Sequence, residues 1–172
     1  MELLQISPQD RATVIEFYKT VSGLSFTLLG LWWVALELRY REWQESARAI
    51  RHAYGILLFF LLPGLMSLFS LIDDSGTWWR LIFGATAIAG IAEIGLYYVD
   101  DTAQRLKRAD ILRVIGLFDY VFILLVAIRP QIGNDLGLGL AGIQVEAILS
   151  GALIVIGVHL AFLAMIDRRL ND

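Results

Sequence analysis

The sequence predicts an all-α integral membrane protein: a bundle of five transmembrane helices, with the N-terminus outside and the C-terminus in the cytoplasm. Three observations carry that prediction. First, 58% of the 172 residues are hydrophobic and only 18% are charged, against ~45–50% and ~25% in soluble domains. Second, the apolar residues gather into runs near 14–36, 53–72, 77–99, 111–128 and 143–166. Each is close to the ~20 residues that cross a ~30 Å hydrocarbon core. Third, basic residues alternate between the connections. Arg39, Arg41, Arg48, Arg51, Arg105, Lys107, Arg108, Arg113, Arg168 and Arg169 fall on one side of a five-span layout, and only Arg11, Lys19, Arg80 and Arg129 on the other. The richer side is expected to be cytoplasmic. A four-span bundle is the alternative, with the polar-decorated first segment lying along the membrane interface.

Each element has a local reason. Ser7-Pro8-Gln9-Asp10 reads as a helix start: Ser7 caps, Pro8 suits the first helical position, and Asp10 meets the positive end of the helix dipole. In the second span Pro63-Gly64 predicts a kink and a candidate hinge, because neighbouring helices can satisfy the carbonyl that proline frees. Asp73-Asp74-Ser75-Gly76 predicts a tight polar turn. The third span is bracketed by Trp78-Trp79 and Tyr97-Tyr98. These pairs are ~28 Å apart along a helix, which matches two aromatic belts. The fourth span stops at Arg129-Pro130, and a glycine-rich stretch from Gly133 to Gly142 precedes the fifth. No soluble domain is expected. The acidic start, Met1-Glu2, lacks the positive region of a signal peptide, so the first span is expected to act as its own insertion signal.

Composition narrows the chemistry. The sequence contains no cysteine, which excludes disulfides and thiolate chemistry. A net charge of −3 argues against nucleic acid. Gly137-Leu138-Gly139-Leu140-Ala141-Gly142 matches G-x-G-x-x-G but lacks the strand and βαβ context of a nucleotide site, so a loop and helix start are expected. His52 and His159 fall at different expected depths, against a shared haem. Neither H-E-x-x-H nor G-x-S-x-G occurs, so no enzyme activity and no cofactor are expected.

Ionisable residues within the spans carry the functional expectation, because a charge at mid-bilayer costs ~2.5–3.5 kcal/mol. Glu16, Lys19, Arg80 and Glu146 form an expected outer layer. Glu93, Asp119 and His159 form an inner one, ~9–12 Å from the cytoplasmic end. Glu93 shares a stripe with Thr86, Gly90 and Tyr97, and a second stripe runs through Thr13, Glu16, Thr20, Gly23, Thr27 and Gly30. Such stripes pack helices or line a path.

The leading expectation is a small homo-oligomeric ion channel or channel-like protein passing cations or protons. Its pathway candidates are Glu93, Asp119, His159, Glu16, Glu146, Thr20 and Thr27. A non-conducting subunit or scaffold is the alternative, and a secondary transporter the third reading. The expected partners are the lipid bilayer and, at Arg39, Arg41, Arg48 and Arg51, anionic lipid or a protein. The compact layout of spans places it by default in a bacterial inner membrane.

Overall fold

The computed structural model describes residues 8–40, 47–72, 78–99 and 107–169. The expected Ser7 cap, the turn at 73–76 and Arg41 lie outside them. The described residues form helices α1 (Pro8–Leu38), α2 (Ala47–Ser70), α3 (Trp78–Val99), α4 (Lys107–Ile128), the single turn α5 (Ile132–Asp135) and α6 (Gly142–Arg169). Five of these, all but α5, are long and apolar enough to cross a membrane. Their positions match the five apolar runs, with α1, α2, α4 and α6 beginning one to six residues earlier and α2 ending at Ser70, two residues short of its run. Helix α1 has 31 residues, or about 46 Å. It therefore either tilts or stands clear of a ~30 Å core.

The helices close into a ring in the order α1, α2, α3, α4, α6, with α2 also packed across the ring against α6. This makes α2 the most enclosed span. Ile56, Phe59, Phe60 and Met66 of α2 meet Phe83, Ala87 and Ile94 of α3, Tyr120 and Ile123 of α4, and Leu153 and Leu160 of α6 in one core.

Helix α1 is part of that ring and does not stand apart from it. The Trp32 indole N–H donates to the Ala53 carbonyl at 3.1 Å, and the Tyr18 hydroxyl donates to the Ile143 carbonyl at 2.8 Å. A first segment lying apart from the bundle could not make both bonds.

Pro63 sits inside an uninterrupted α2. Beside it, a Cβ on Gly64 would approach the Ser25 Cβ to 3.0 Å, so the missing side chain brings α1 and α2 close together. Arg80 reaches the end of α4, donating from Nε to the Ala127 carbonyl at 2.8 Å and from Nη2 to the Ile128 carbonyl at 2.9 Å. The last carbonyls of a helix lack intrahelical donors and carry its negative dipole end, so a guanidinium satisfies both needs. The glycine-rich stretch is a loop followed by a helix start. Gly137 and Gly139 adopt φ of 72° and 63°, the left-handed region that favours glycine, and an Arg129–Asp135 ion pair of 2.8 Å braces it.

The aromatic pairs at the ends of α3 split between inside and outside. Trp78 is 63% exposed, but Trp79 is buried against Phe83. Tyr97 turns into the protein beneath a guanidinium. One ring of the tryptophan pair is thus placed for a membrane interface and the other belongs to the core.

Candidate functional site

The site lies in the half of the bundle nearest the ends rich in arginine, where α2, α3 and α4 face each other. Each helix presents a stripe at three- and four-residue spacing, which keeps side chains on one face. The stripes are His52, Gly55 and Phe59 on α2, Gly90, Glu93 and Tyr97 on α3, and Arg113, Gly116 and Tyr120 on α4. A glycine stands in each, and each lets a larger group approach. The Glu93 carboxylate packs directly against Gly55, where a Cβ would collide with it. The Tyr120 ring packs on Gly90, where a Cβ would lie 2.5 Å from the nearest ring carbon. The Phe59 ring covers Gly116 in the same way.

Arg113 is the centre of the cluster. It is only 1% exposed. Its guanidinium lies 3.7 Å above the centroid of the Tyr97 ring, and its Nη2 is 3.3 Å from Nδ1 of His52. It interacts electrostatically with Glu93. Its Nε and Nη1 are buried without a hydrogen-bond partner among the described residues, as are the Tyr120 hydroxyl and Oδ2 of Asp119. Tyr120 lies within electrostatic reach of both Glu93 and Asp119. Arg113, His52 and Tyr97 are thus in direct contact, with the Glu93 and Asp119 carboxylates and the Tyr120 phenol within electrostatic reach, inside apolar helices. Burying such polar groups is expensive unless they are bonded or hydrated. The open donors and acceptors suit buried water, which binds where several polar groups converge.

A second polar level lies nearer the opposite end. Glu146 and Ser150 of α6 are fully buried, and Tyr18 of α1 is 1% exposed. Tyr18 sits within electrostatic reach of Glu146. The Ser150 hydroxyl lies 4.0 Å from the Met66 sulfur. Along α2 the two levels correspond to Gly55 and Met66, 11 residues or about 16 Å apart. Phe59 and Phe60 fill the space between, with Phe59 against the Tyr120 ring at 5.9 Å and Gly157 packed against both phenylalanines.

The remaining sequence candidates lie elsewhere. His159, expected beside Glu93 and Asp119, is on the outward face of α6, with Nδ1 2.8 Å from its own Val155 carbonyl. Helical angle separates it from the buried face that carries Glu146. Glu16 and Lys19 pair at 2.8 Å on the outside of α1, with side chains 72% and 56% exposed. Thr20 and Thr27 are also outward, and their hydroxyls donate to the Glu16 and Gly23 carbonyls at 2.9 and 2.8 Å. The α1 stripe therefore faces away from the bundle, whereas the α3 stripe faces inward. Arg39 is half-buried and Arg51 exposed. Arg48 lies on α2, but its side chain is outside the described set.

Arg113, His52 and Tyr120 belong to the site although the sequence reading did not select them. Counting Arg113 among the basic residues of a connection hid its role. The signal was its spacing to Gly116 and Tyr120, which repeats the glycine-centred pattern of α3. The sequence matches no protein-family model, and comparisons with curated proteins and with solved structures find no match.

Proposed function

We propose that the protein conducts protons through the interior of each five-helix protomer. The observation that carries this reading is the buried group Glu93–Arg113–His52–Tyr120–Asp119, aligned along the bundle with the second buried level at Glu146 and Tyr18. Protons suit this interior better than hydrated cations do. A hydrated cation needs an open, continuously polar lumen, and Phe59 and Phe60 lie between the two levels, which are about 16 Å apart along α2. A proton needs only titratable groups and transient water, the device used by carboxylate and histidine relays in membrane proteins. In this reading Glu93 and Asp119 hold and release the proton. Arg113 sets the field around Glu93, and His52 connects the group to the aqueous side at the basic end. That side is the cytoplasm, the N-terminus lies outside, and a bacterial inner membrane is the setting.

The outward Thr/Gly stripe of α1 supports a second feature, assembly through α1. Small and hydroxylated residues at this spacing allow close helix approach. It also favours the rival reading, a non-conducting subunit that docks a partner helix there.

Proton flux into liposomes containing a trapped pH dye separates these readings. The expected result is a protein-dependent proton leak, reduced at least tenfold by Glu93→Gln and by Asp119→Asn and unchanged by His159→Gln. Absence of a leak, or a leak indifferent to both carboxylate substitutions, overturns the proposal.

A further inference from the structure

The conduction reading leaves the role of Tyr120 open. Its ring is rooted on α4 but ends on α3. A Cβ on Gly90 would lie 2.5 Å from Cζ, the carbon that bears the hydroxyl, and 2.6 Å from Cε1 and Cε2 on either side of it. The hydroxyl end of the ring thus lies flat on Gly90, and only the missing side chain admits it. Glu93 is three residues further along the same face of α3, a rise of about 4.5 Å. Thr86, one turn the other way, is engaged with its own helix and donates to the Ile82 carbonyl at 2.7 Å. Asp119 is the neighbour of Tyr120 in sequence, so the phenol has one carboxylate beside it on α3 and another on α4, and is within electrostatic reach of both. The Glu93 carboxylate itself packs on Gly55 of α2, a different helix from the one that carries Asp119.

The Tyr120 hydroxyl is buried and has no hydrogen-bond partner among the described residues. A buried phenol normally finds one, and leaving it without one costs stability. Phenylalanine would fill the same space against Gly90 and Phe59 without that cost. Oδ2 of Asp119 is buried in the same condition. Buried water would satisfy both, because it binds where polar groups converge and a hydroxyl both donates and accepts. We propose that Tyr120 carries the proton between Glu93 and Asp119 through such water, an assignment that rests on the conduction reading. The protonated Glu93 carboxyl gives its proton, by way of water, to a lone pair of the Tyr120 oxygen. In the same event the phenol's own proton leaves through water for the Asp119 carboxylate. Tyr120 ends with one O–H bond as it began, Glu93 is ionised and Asp119 is protonated. Rotation of the hydroxyl resets the relay, and no tyrosinate forms.

The test compares proton flux into dye-loaded liposomes for the wild type, Glu93→Gln, Asp119→Asn and Tyr120→Phe. Tyr98→Phe is the control, since the Tyr98 hydroxyl donates to the Asp110 carbonyl at 3.2 Å near the end of α3. Tyr120→Phe is expected to reduce the leak by at least ~10-fold, a floor set under the ~100-fold or more that a positioned proton-transfer group contributes. Its apparent melting temperature should equal or exceed that of the wild type, because no bond to the protein is lost. Tyr98→Phe should leak as the wild type does. A fluorinated tyrosine at position 120 keeps the ring and the hydroxyl but makes the hydroxyl more acidic. It should shift the leak by ~2-fold or more, since proton-transfer rates follow the acidity of the carrier. That readout does not move for a hydroxyl that only packs, and it decides the matter if Tyr120→Phe fails to fold. A Tyr120→Phe leak equal to the wild type, with both carboxylate variants reduced, overturns the role of Tyr120 and leaves the conduction reading standing. So does a leak that Tyr120→Phe lowers but the fluorinated ring leaves unchanged. Absence of a leak in the wild type overturns both.

Discussion

Replacing Arg113 tests the cluster most directly, because stability and function both rest on it. Arg113→Met keeps the length and apolar stem of the side chain but removes the charge. Three interactions go with it: the contact with the Tyr97 ring at 3.7 Å, the 3.3 Å contact with His52, and the longer-range electrostatic attraction of Glu93. Losing all three at once leaves His52, Tyr97 and Glu93 without the buried charge they face, and the cost should be ~3–5 kcal/mol, the scale of breaking a buried charge system. A desolvated cation–π contact accounts for up to ~2 kcal/mol of that. With 172 residues, each kcal/mol corresponds to roughly 2–4 °C, so Arg113→Met should lower the apparent melting temperature in detergent by roughly 6–20 °C. Glu93→Gln should destabilise for the reciprocal reason. The double variant removes both charges and should be more stable than the sum of the two singles predicts, with a coupling of ~1–3 kcal/mol. If the two substitutions add to within ~0.5 kcal/mol, Arg113 and Glu93 are not energetically linked and the cluster is an accident of proximity.

Gly90→Ala should destabilise by ~1–3 kcal/mol through overpacking, since its Cβ would lie 2.5 Å from the Tyr120 ring, whereas Gly95→Ala, where nothing lies within 4 Å, should be neutral; thermal scans of the pair decide it. Arg80→Gln removes the two bonds to the final carbonyls of α4, and because the side chain is largely exposed the loss should be only ~1–2 kcal/mol. Hydrogen exchange should show it as faster opening at residues 125–128. Phe59→Ala opens the aromatic layer between the polar levels and should increase proton leak several-fold in the liposome assay while lowering stability by ~3–5 kcal/mol; an unchanged leak would show that Phe59 does not limit passage.

The five helices were legible because each requirement of a bilayer leaves its own mark: length, hydropathy and the placement of charge. The stripe through Thr86, Gly90, Glu93 and Tyr97 was legible for a similar reason, since lipid does not tolerate a polar face. The partners of Glu93 were not. Depth along a helix follows from residue number, but azimuth relative to other helices depends on packing that a single chain's periodicity does not specify. His159 has nearly the expected depth of Glu93 and faces the opposite way. Arg113 was misread because it lies only six residues into α4, a position from which arginine commonly snorkels to the surface. Here Tyr97 and His52 hold it inside. Removing it from the ten basic residues assigned to the cytoplasmic side leaves nine against four, so the asymmetry that predicts orientation persists.

The placement of the two stripes also constrains how conduction and assembly relate. A pore on an oligomer axis would require the Thr/Gly stripe of α1 and the Glu93 stripe of α3 to face a shared cavity. The first points outward, and the second is enclosed by α2 and α4. A helix cannot turn both ways without breaking the bonds that fix it, and α1 is held by Trp32 to α2 and by Tyr18 to α6. An axial pore built from α1 would therefore leave Glu93, Arg113 and Asp119 outside it. The proposed conduction through the protomer would leave α1 available to join copies together without contributing to the path. On that arrangement flux rises in proportion to the number of protomers, and disrupting the α1 stripe separates the copies without stopping the leak.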